Sequence, residues 1–278
     1  MIEKDPFVRK IIRLALEEDI GDGDRTTDSI IKEEKRAFAK LIAKEDFILA
    51  GLPVFKQVFI ELSSDVYFED YHKDGDLIKK GEVICAIKGP AHIILKAERT
   101  ALNFLQRMSG IATLTKRFVE KAKGIRIVDT RKTAPCLRIF DKYAVRIGGG
   151  FNHRFGLFDG ILIKDNHIAV VGSVKRAVEL AKKNAPHTLK IEVEVESLDQ
   201  LKEAIEAGAD AVLLDNMTLD QIKEAVRIGK GKVLLEVSGG VSLENIEDIA
   251  KTGVDIISVG MITHSVKGVD ISLELKCN

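Results

Sequence analysis

Arg131, Lys132, His153, Arg154 and Lys164 fall just past apolar runs or in glycine-marked loops of one stretch, DTRKTAPCLRIFDKYAVRIGGGFNHRFGLFDGILIKDNH, from Asp129 to His167. In a parallel α/β fold such positions are the C-terminal ends of strands, where functional groups are exposed. Gly148, Gly149 and Gly150 permit positive φ or close backbone approach just before His153 and Arg154. Lys164 directly follows Ile161, Leu162 and Ile163, so its aliphatic stem leaves a buried strand. Ordinary solvation accounts for any one of these cations but not for the group. Gathered cations need an anion.

After Gly124 the chain repeats. Strand-like runs occur at Ile125 to Val128, Gly160 to Ile163, Leu189 to Val195, Ala211 to Leu214, Val233 to Val237 and Ile256 to Val259. Helical patterns between them end in the similar turns EAGAD and KTGVD, the cadence of βα units closing into a barrel. A barrel places its reactive groups at strand C-terminal ends: Asp129 to Lys132, Lys164, Glu194 and Glu196, Asp215, Ser238 with Gly239 and Gly240, and Gly260 after Val259.

The run IEVEVES sharpens this, because strand alternation puts Glu192, Glu194 and Glu196 on one face and Ile191, Val193 and Val195 on the other. With the apolar face toward the helices, three carboxylates point inward, where an unpaired charge costs several kcal/mol unless compensated. Glu194 and Asp215 then form a carboxylate wall opposite the cations, suited to Mg²⁺ or sugar hydroxyls. Ser238, Gly239 and Gly240, preceding the helical run SLENIEDIAK, and Gly260 lie after the last two strands, where barrels bind phosphate through backbone N–H groups and helix N-termini. These residues alone reach a barrel enzyme acting on a small anionic, phosphate-bearing substrate with Mg²⁺, and stop short of the reaction.

Before the barrel, Asp5 and Pro6 open a helix whose apolar face includes Phe7, Ile11, Leu14 and Ala15 and which stops near Gly21. The loop GDGDRTT follows. The alternating AFAKLIA and VYFEDYH then flank a helical LPVFKQVFIEL, an α+β module. The spacing of DGDLIKKGEVICAIKG with AHIILKAE is similar to a small β-sandwich carrier of biotin or lipoate, without an evident attachment lysine. Helical spacing runs from Ala97 to Lys123, interrupted at Gly110, where a domain boundary is expected. Arg99 sits on that helix, and its local pattern marks it only as a solvated cation.

The 278 residues, 45% of them apolar, allow a sizeable core in one large domain or two ordinary ones. Formal charge is zero, with no basic tail or aromatic-laced Lys/Arg stripe, so nucleic acid is not the expected partner. The absence of an apolar signal core, and of an uncharged run near the roughly 18 residues of a membrane helix, leads to an expected cytoplasmic location away from membranes. Cys85, Cys136 and Cys277 are too few and too scattered for a disulfide framework or paired metal knuckles, and are read as free thiols.

The segments DTRKTAPCLRIFDKYAVRIGGG, HRFGLFDGILIKDNHI, IEVEVES, LLDN, EVSGG and SVGMITHS, with LEEDIGDGDRTT and KAERTALNFLQRMSGIAT, resemble the quinolinate phosphoribosyltransferase family over nearly the whole chain. That resemblance implies transfer of ribose 5-phosphate from phosphoribosyl pyrophosphate to the nitrogen of quinolinate, with loss of CO₂, giving nicotinate mononucleotide for NAD synthesis. It implies an N-terminal α+β sandwich, residues 1–109 joined by 267–278, and an open (β/α) barrel over 110–266. The family's barrel has seven strands, against six counted here. By resemblance, Arg131, Lys132, His153, Arg154 and Lys164 line the quinolinate pocket, Thr130 is a further substrate-binding residue, and Arg99 reaches the pocket from the other subunit of a homodimer with shared sites, or of a higher oligomer. Glu194 and Asp215 hold ribose and Mg²⁺; Ser238, Gly239, Gly240 and Gly260 cradle phosphate, with His264 close by, and Val259 is a further substrate-binding residue. Catalysis falls to Lys132, Lys164, Glu194 and Asp215.

Ala134, Cys136 and Phe151 depart from the family wording, which bears on local loop shape and not on the reaction. Two other readings use the same residues. A Schiff-base lyase would employ Lys164 as nucleophile, and a nonenzymatic anion carrier would bind without turnover.

Overall fold

The computed structural model describes residues 2–31 and 35–277; the side chain of Cys277, and with it that thiol's state, lies outside the described part. Along the chain come α1 (Pro6–Ile20), α2 (Arg25–Ile30), β1 (Arg36–Ala43), β2 (Phe47–Ile48), α3 (Leu52–Leu62), β3 (Tyr67–Asp70), β4 (Leu77–Ile78), β5 (Val83–Pro90) and α4 (Ala91–Lys121). There follow β6 (Arg126–Val128), α5 (Arg138–Ile147), β7 (Ile161–Ile163), α6 (Asp165–Val171), α7 (Val174–Asn184), β8 (Ile191–Val195), α8 (Leu198–Glu206) and β9 (Ala211–Asp215). The last elements are α9 (Leu219–Gly229), β10 (Leu234–Ser238), α10 (Ile246–Ala250), β11 (Ile256–Ser258), α11 (Met261–His264) and β12 (Ile271–Cys277).

They divide into two compact units, one of Met1–Lys116, Ala134–Gly149 and Ser265–Asn278, the other of Arg117–Thr133 and Gly150–His264. In the first, an antiparallel sheet runs β12-β1-β5-β3. β1 buries Ala37, Ala39, Leu41 and Ala43 and turns the intervening residues outward, the alternation that AFAKLIA carries. Here the C-terminal strand joins the N-terminal module, antiparallel to β1 from Ala37 opposite Cys277 to Ala43 opposite Ile271.

Several local expectations change. In α1, capped by Asp5 with Pro6 in its first turn, the core-facing stripe is Val8, Ile12 and Leu16, while Phe7 and Leu14 are exposed. This helix has two apolar stripes, and spacing alone could not choose between them. Arg25, Thr26 and Thr27 of the expected loop open α2 instead, because the Asp24 carboxylate accepts the N–H groups of Thr26 and Thr27, each at 3.0 Å. AHIILKAE is not a carrier strand. It begins α4, whose Ala91, Ile94, Ala97 and Ala101 are buried at helical spacing.

Gly110 does not interrupt α4, which is continuous over 31 residues. A side chain at Gly110 would put its Cβ 2.3 Å from the Lys267 carbonyl oxygen, so the glycine serves close backbone approach within the continuous helix. The segment 134–149 groups with the first unit for a physical reason. Arg107 donates from Nε and Nη2 to the two oxygens of fully buried Asp141 at 2.9 and 2.8 Å, and the Phe104 and Phe140 rings lie 5.0 Å apart.

In the second unit six parallel strands run β6-β11-β10-β9-β8-β7. The two end strands do not pair, which leaves the barrel open. Phe151 adds a lone parallel bridge to Val128 beside β6. The six strands read from sequence are these six. Their mid-strand residues Ile127, Val193, Val195, Val212, Leu214, Leu235, Val237 and Ile257 are buried, as alternation toward the surrounding helices requires.

Candidate active site

At the C-terminal ends of these strands a cavity of about 340 Å³ is lined by Thr130, Arg131, Lys132, His153, Arg154 and Lys164. Glu194, Asp215, Asn216, Ser238, Gly239 and Gly240 face it as well. Gly260 adjoins these groups, since a Cβ there would lie 3.3 Å from the Lys132 Cδ and 3.2 Å from His264. Val259 is fully buried, His264 is exposed on α11, and Arg99 stands exposed on α4 in the first unit.

The cations are positioned by backbone geometry. Lys164 directly follows β7 and caps α6: its N–H donates to His167 Nδ1 at 2.9 Å, so strand and helix meet at this residue and direct its ammonium to Glu194 on the next strand. The Lys132 N–H donates to Thr130 Oγ1 at 3.0 Å, and Thr263 Oγ1 donates to the Lys132 carbonyl at 2.9 Å, which fixes the loop after β6. Asp129, read among the reactive groups, is fully buried and accepts from Asn152 Nδ2 at 2.6 Å and from the His153 N–H at 2.9 Å. It anchors the His153 loop and does not face the cavity.

Arg154 donates from Nη1 to the Gly160 carbonyl at 2.9 Å, while its Nε is buried with no hydrogen-bond partner among the described residues. Burial, then the nearby charge of Arg131, lowers its pKa below the ordinary arginine value. An unpartnered buried N–H and crowded positive charge are the features an incoming carboxylate relieves.

Glu194 is nearly buried and paired with Lys164, whose side chain is 44% exposed. Asp215, one strand over, accepts from Asn216 Nδ2 at 2.8 Å. Glu196 follows the last residue of β8 and is exposed, so two of the three expected glutamates, Glu192 and Glu194, point inward. The strand is simply too short to carry the alternation one step further. The fourth inward acid, Glu236, was missed because LLEVS looks like an ordinary buried strand and shows no run of alternating charge.

The late-strand glycines have real conformational need. Gly239 and Gly240 sit at φ 85° and 59°, beside Asn216 at φ 52°, and a Cβ on Gly239 would lie 2.2 Å from the Asn216 Oδ1. The expected helix begins only at Ile246, so the loop itself, and not a helix N-terminus, faces the cavity here; Asn245 Nδ2 fastens it to the Gly240 carbonyl at 2.8 Å. Cys136 holds φ 63°, a left-handed backbone uncommon outside glycine, and Phe151 stacks under the Arg126 guanidinium at 5.1 Å. Cys85 and Cys136 are free thiols.

The site therefore has a cationic wall, a facing pair of carboxylates and a glycine-lined corner, which can hold an acid, a polyol and a phosphate side by side. Residues 24–109 match the model of the N-terminal domain of quinolinate phosphoribosyl transferase, and residues 111–274 that of its C-terminal domain. The chain is 46% identical over 270 residues to a probable carboxylating nicotinate-nucleotide pyrophosphorylase of Bacillus subtilis, covering 96% of this chain and 93% of that one. A Methanocaldococcus jannaschii protein of the same description is 47% identical, with 97% of each chain covered. The solved nicotinate-nucleotide pyrophosphorylase of Francisella tularensis superposes with a TM-score of 0.93 at 44% identity over 99% of both chains.

Proposed function

Because the chain belongs to the quinolinate phosphoribosyl transferase family, we propose that this cavity binds quinolinate against its cations and phosphoribosyl pyrophosphate against its carboxylates and glycines. The enzyme transfers the phosphoribosyl group to the quinolinate nitrogen, with release of pyrophosphate and CO₂, and forms nicotinate mononucleotide for NAD biosynthesis. The observation that carries the reading is the opposition of the Arg131, Lys132, His153, Arg154 and Lys164 wall to Glu194 and Asp215 in one cavity.

Each wall has a chemical task. Two carboxylates on one ring match forked and point cations, and fixing both aims the ring nitrogen at the anomeric carbon. As the bond to pyrophosphate breaks, positive charge builds on the ribose, and the Glu194 and Asp215 carboxylates stabilise it. No covalent nucleophile is needed, so Lys164 acts as a charge and not as a Schiff base. Once the nitrogen is alkylated, the ring cation stabilises the electron pair left by the departing carboxylate.

Mg²⁺ suits Glu194 and Asp215 by chemistry, since it takes a few hard oxygen donors and leaves the rest to substrate phosphates and water. When bound, it neutralises leaving-group charge. In this reading the protein works as a homodimer in the cytoplasm, Arg99 of each subunit entering the other's cavity. Incubating the protein with quinolinate, phosphoribosyl pyrophosphate and Mg²⁺ should yield nicotinate mononucleotide. Tight binding of quinolinate without turnover would instead make it a carrier.

A further inference from the structure

Decarboxylation leaves an electron pair on the ring that must take a proton, and the residues assigned so far do not supply one. Lys132, Arg154 and Lys164 have to stay charged to hold the dicarboxylate. A neutral acid could give up a proton without weakening that grip.

Glu236 lies on β10 two residues before Ser238, so it shares the inward face of that strand one step deeper, about 7 Å below the strand end. It is only 3% exposed, yet it lines two cavities. One is the substrate cavity. The other, about 270 Å³, is lined by Arg126, Ile161, Lys190, Ala211 and Ile256, at the opposite, N-terminal ends of the strands. Its Oε1 has no hydrogen-bond partner among the described residues and stands 3.8 Å from His153 Nε2, which is 3.0 Å from the Glu192 Oε2.

These three residues could suggest a metal site, since their donor atoms lie within 4.8 Å of one another. The imidazole argues against it. The Arg154 N–H donates to His153 Nδ1 at 2.8 Å and Nε2 faces Glu192 at 3.0 Å, so Nε2 carries a proton directed at Glu192 and offers no lone pair there. A proton satisfies the remaining charge better. Two ionised carboxyls this close in a low-dielectric interior repel strongly, and the more deeply buried one with a bare oxygen takes the proton.

We propose that the Glu236 carboxylic acid supplies the proton that replaces CO₂ on the ring, and is recharged by water through the second cavity. The step balances. The bond from the ring carbon to its carboxylate breaks and leaves its pair on carbon; the Glu236 O–H bond breaks, and its proton forms the new C–H bond. The resulting glutamate then regains a proton from water. Burial, followed by the charge of Glu192, holds this acid protonated up to about pH 8, with His153 and Ser258 acting in the opposite sense.

The inference rests on quinolinate occupying the cationic cavity, and calorimetric titration of the wild-type enzyme with quinolinate checks that reading separately. Glu236→Gln keeps the shape and removes the acid. It should bind quinolinate within about threefold of wild type, lose about a hundredfold or more in kcat, as expected for a general acid, and lack the fall of kcat above about pH 8 that is expected of wild type. Glu192→Gln, a second variant that leaves Glu236 in place, should retain that limb but shift it to lower pH, because the charge that favours the protonated form is gone. A Glu236→Gln enzyme with kcat within threefold of wild type and an unchanged alkaline limb would overturn the assignment to Glu236. So would a Glu192→Gln limb that does not move.

Discussion

Arg154 and Lys132 show how differently two cations of one wall are built. Arg154 is anchored to the Gly160 carbonyl and carries a buried, unpartnered Nε, whereas Lys132 is exposed and held by its backbone. Replacing either with alanine should weaken quinolinate binding more than phosphoribosyl pyrophosphate binding, since a lost charge-assisted bond to a carboxylate costs about 1.5 to 3 kcal/mol. Titration with each ligand separates the two. Equal losses for both ligands would remove these residues from the quinolinate side. The residue types and spacings made the cations legible in the sequence, because Lys164 after Ile161 to Ile163 and the charges after IRIV can only be strand-end groups in a βα repeat. Nothing local distinguished Asp129, an anchor, from its reactive neighbours.

Among the elements, β8 carries Glu194 one residue before its end and β9 ends in Asp215, and in the proposed reading their placement serves chemistry more than folding. Glu194→Gln and Asp215→Asn should abolish most activity while the melting temperature stays near wild type or rises, because clustered inward acids are a burden without ligand. A large loss of ligand-free melting temperature would show instead that these side chains hold the barrel together. Gly110 in α4 is the reverse case. Gly110→Ala improves helix propensity but drives a Cβ into the Lys267 carbonyl, so thermal denaturation should show a loss of about 1 to 3 kcal/mol. A stabilised variant would mean that the C-terminal segment can step aside.

For the whole molecule, the shared-site reading makes a quantitative demand. Arg99→Ala and Lys132→Ala enzymes, each nearly inactive alone, should regain activity when their subunits are mixed and exchanged. Half of randomly formed dimers are hybrids, and each has one of two sites intact, so recovery should approach about one quarter of wild-type activity. Verified exchange without recovery would place Arg99 outside the neighbour's site.

The sequence by itself determined the barrel, its six strands and the ends from which a site had to be built, because period-two burial and regular βα spacing are local properties that survive any packing. It also determined which residues could meet an anion. Tertiary structure alone decided which stripe of α1 is core, why Gly110 is needed inside a continuous α4, and that residues 134–149 pack with the first unit through Arg107 and Asp141. It likewise decided that Glu236 meets Glu192 and His153 inside the barrel. Those outcomes depend on contacts between segments far apart in the chain, and a strand such as LLEVS gives no sign of which face its one charge will take, or what will stand opposite it.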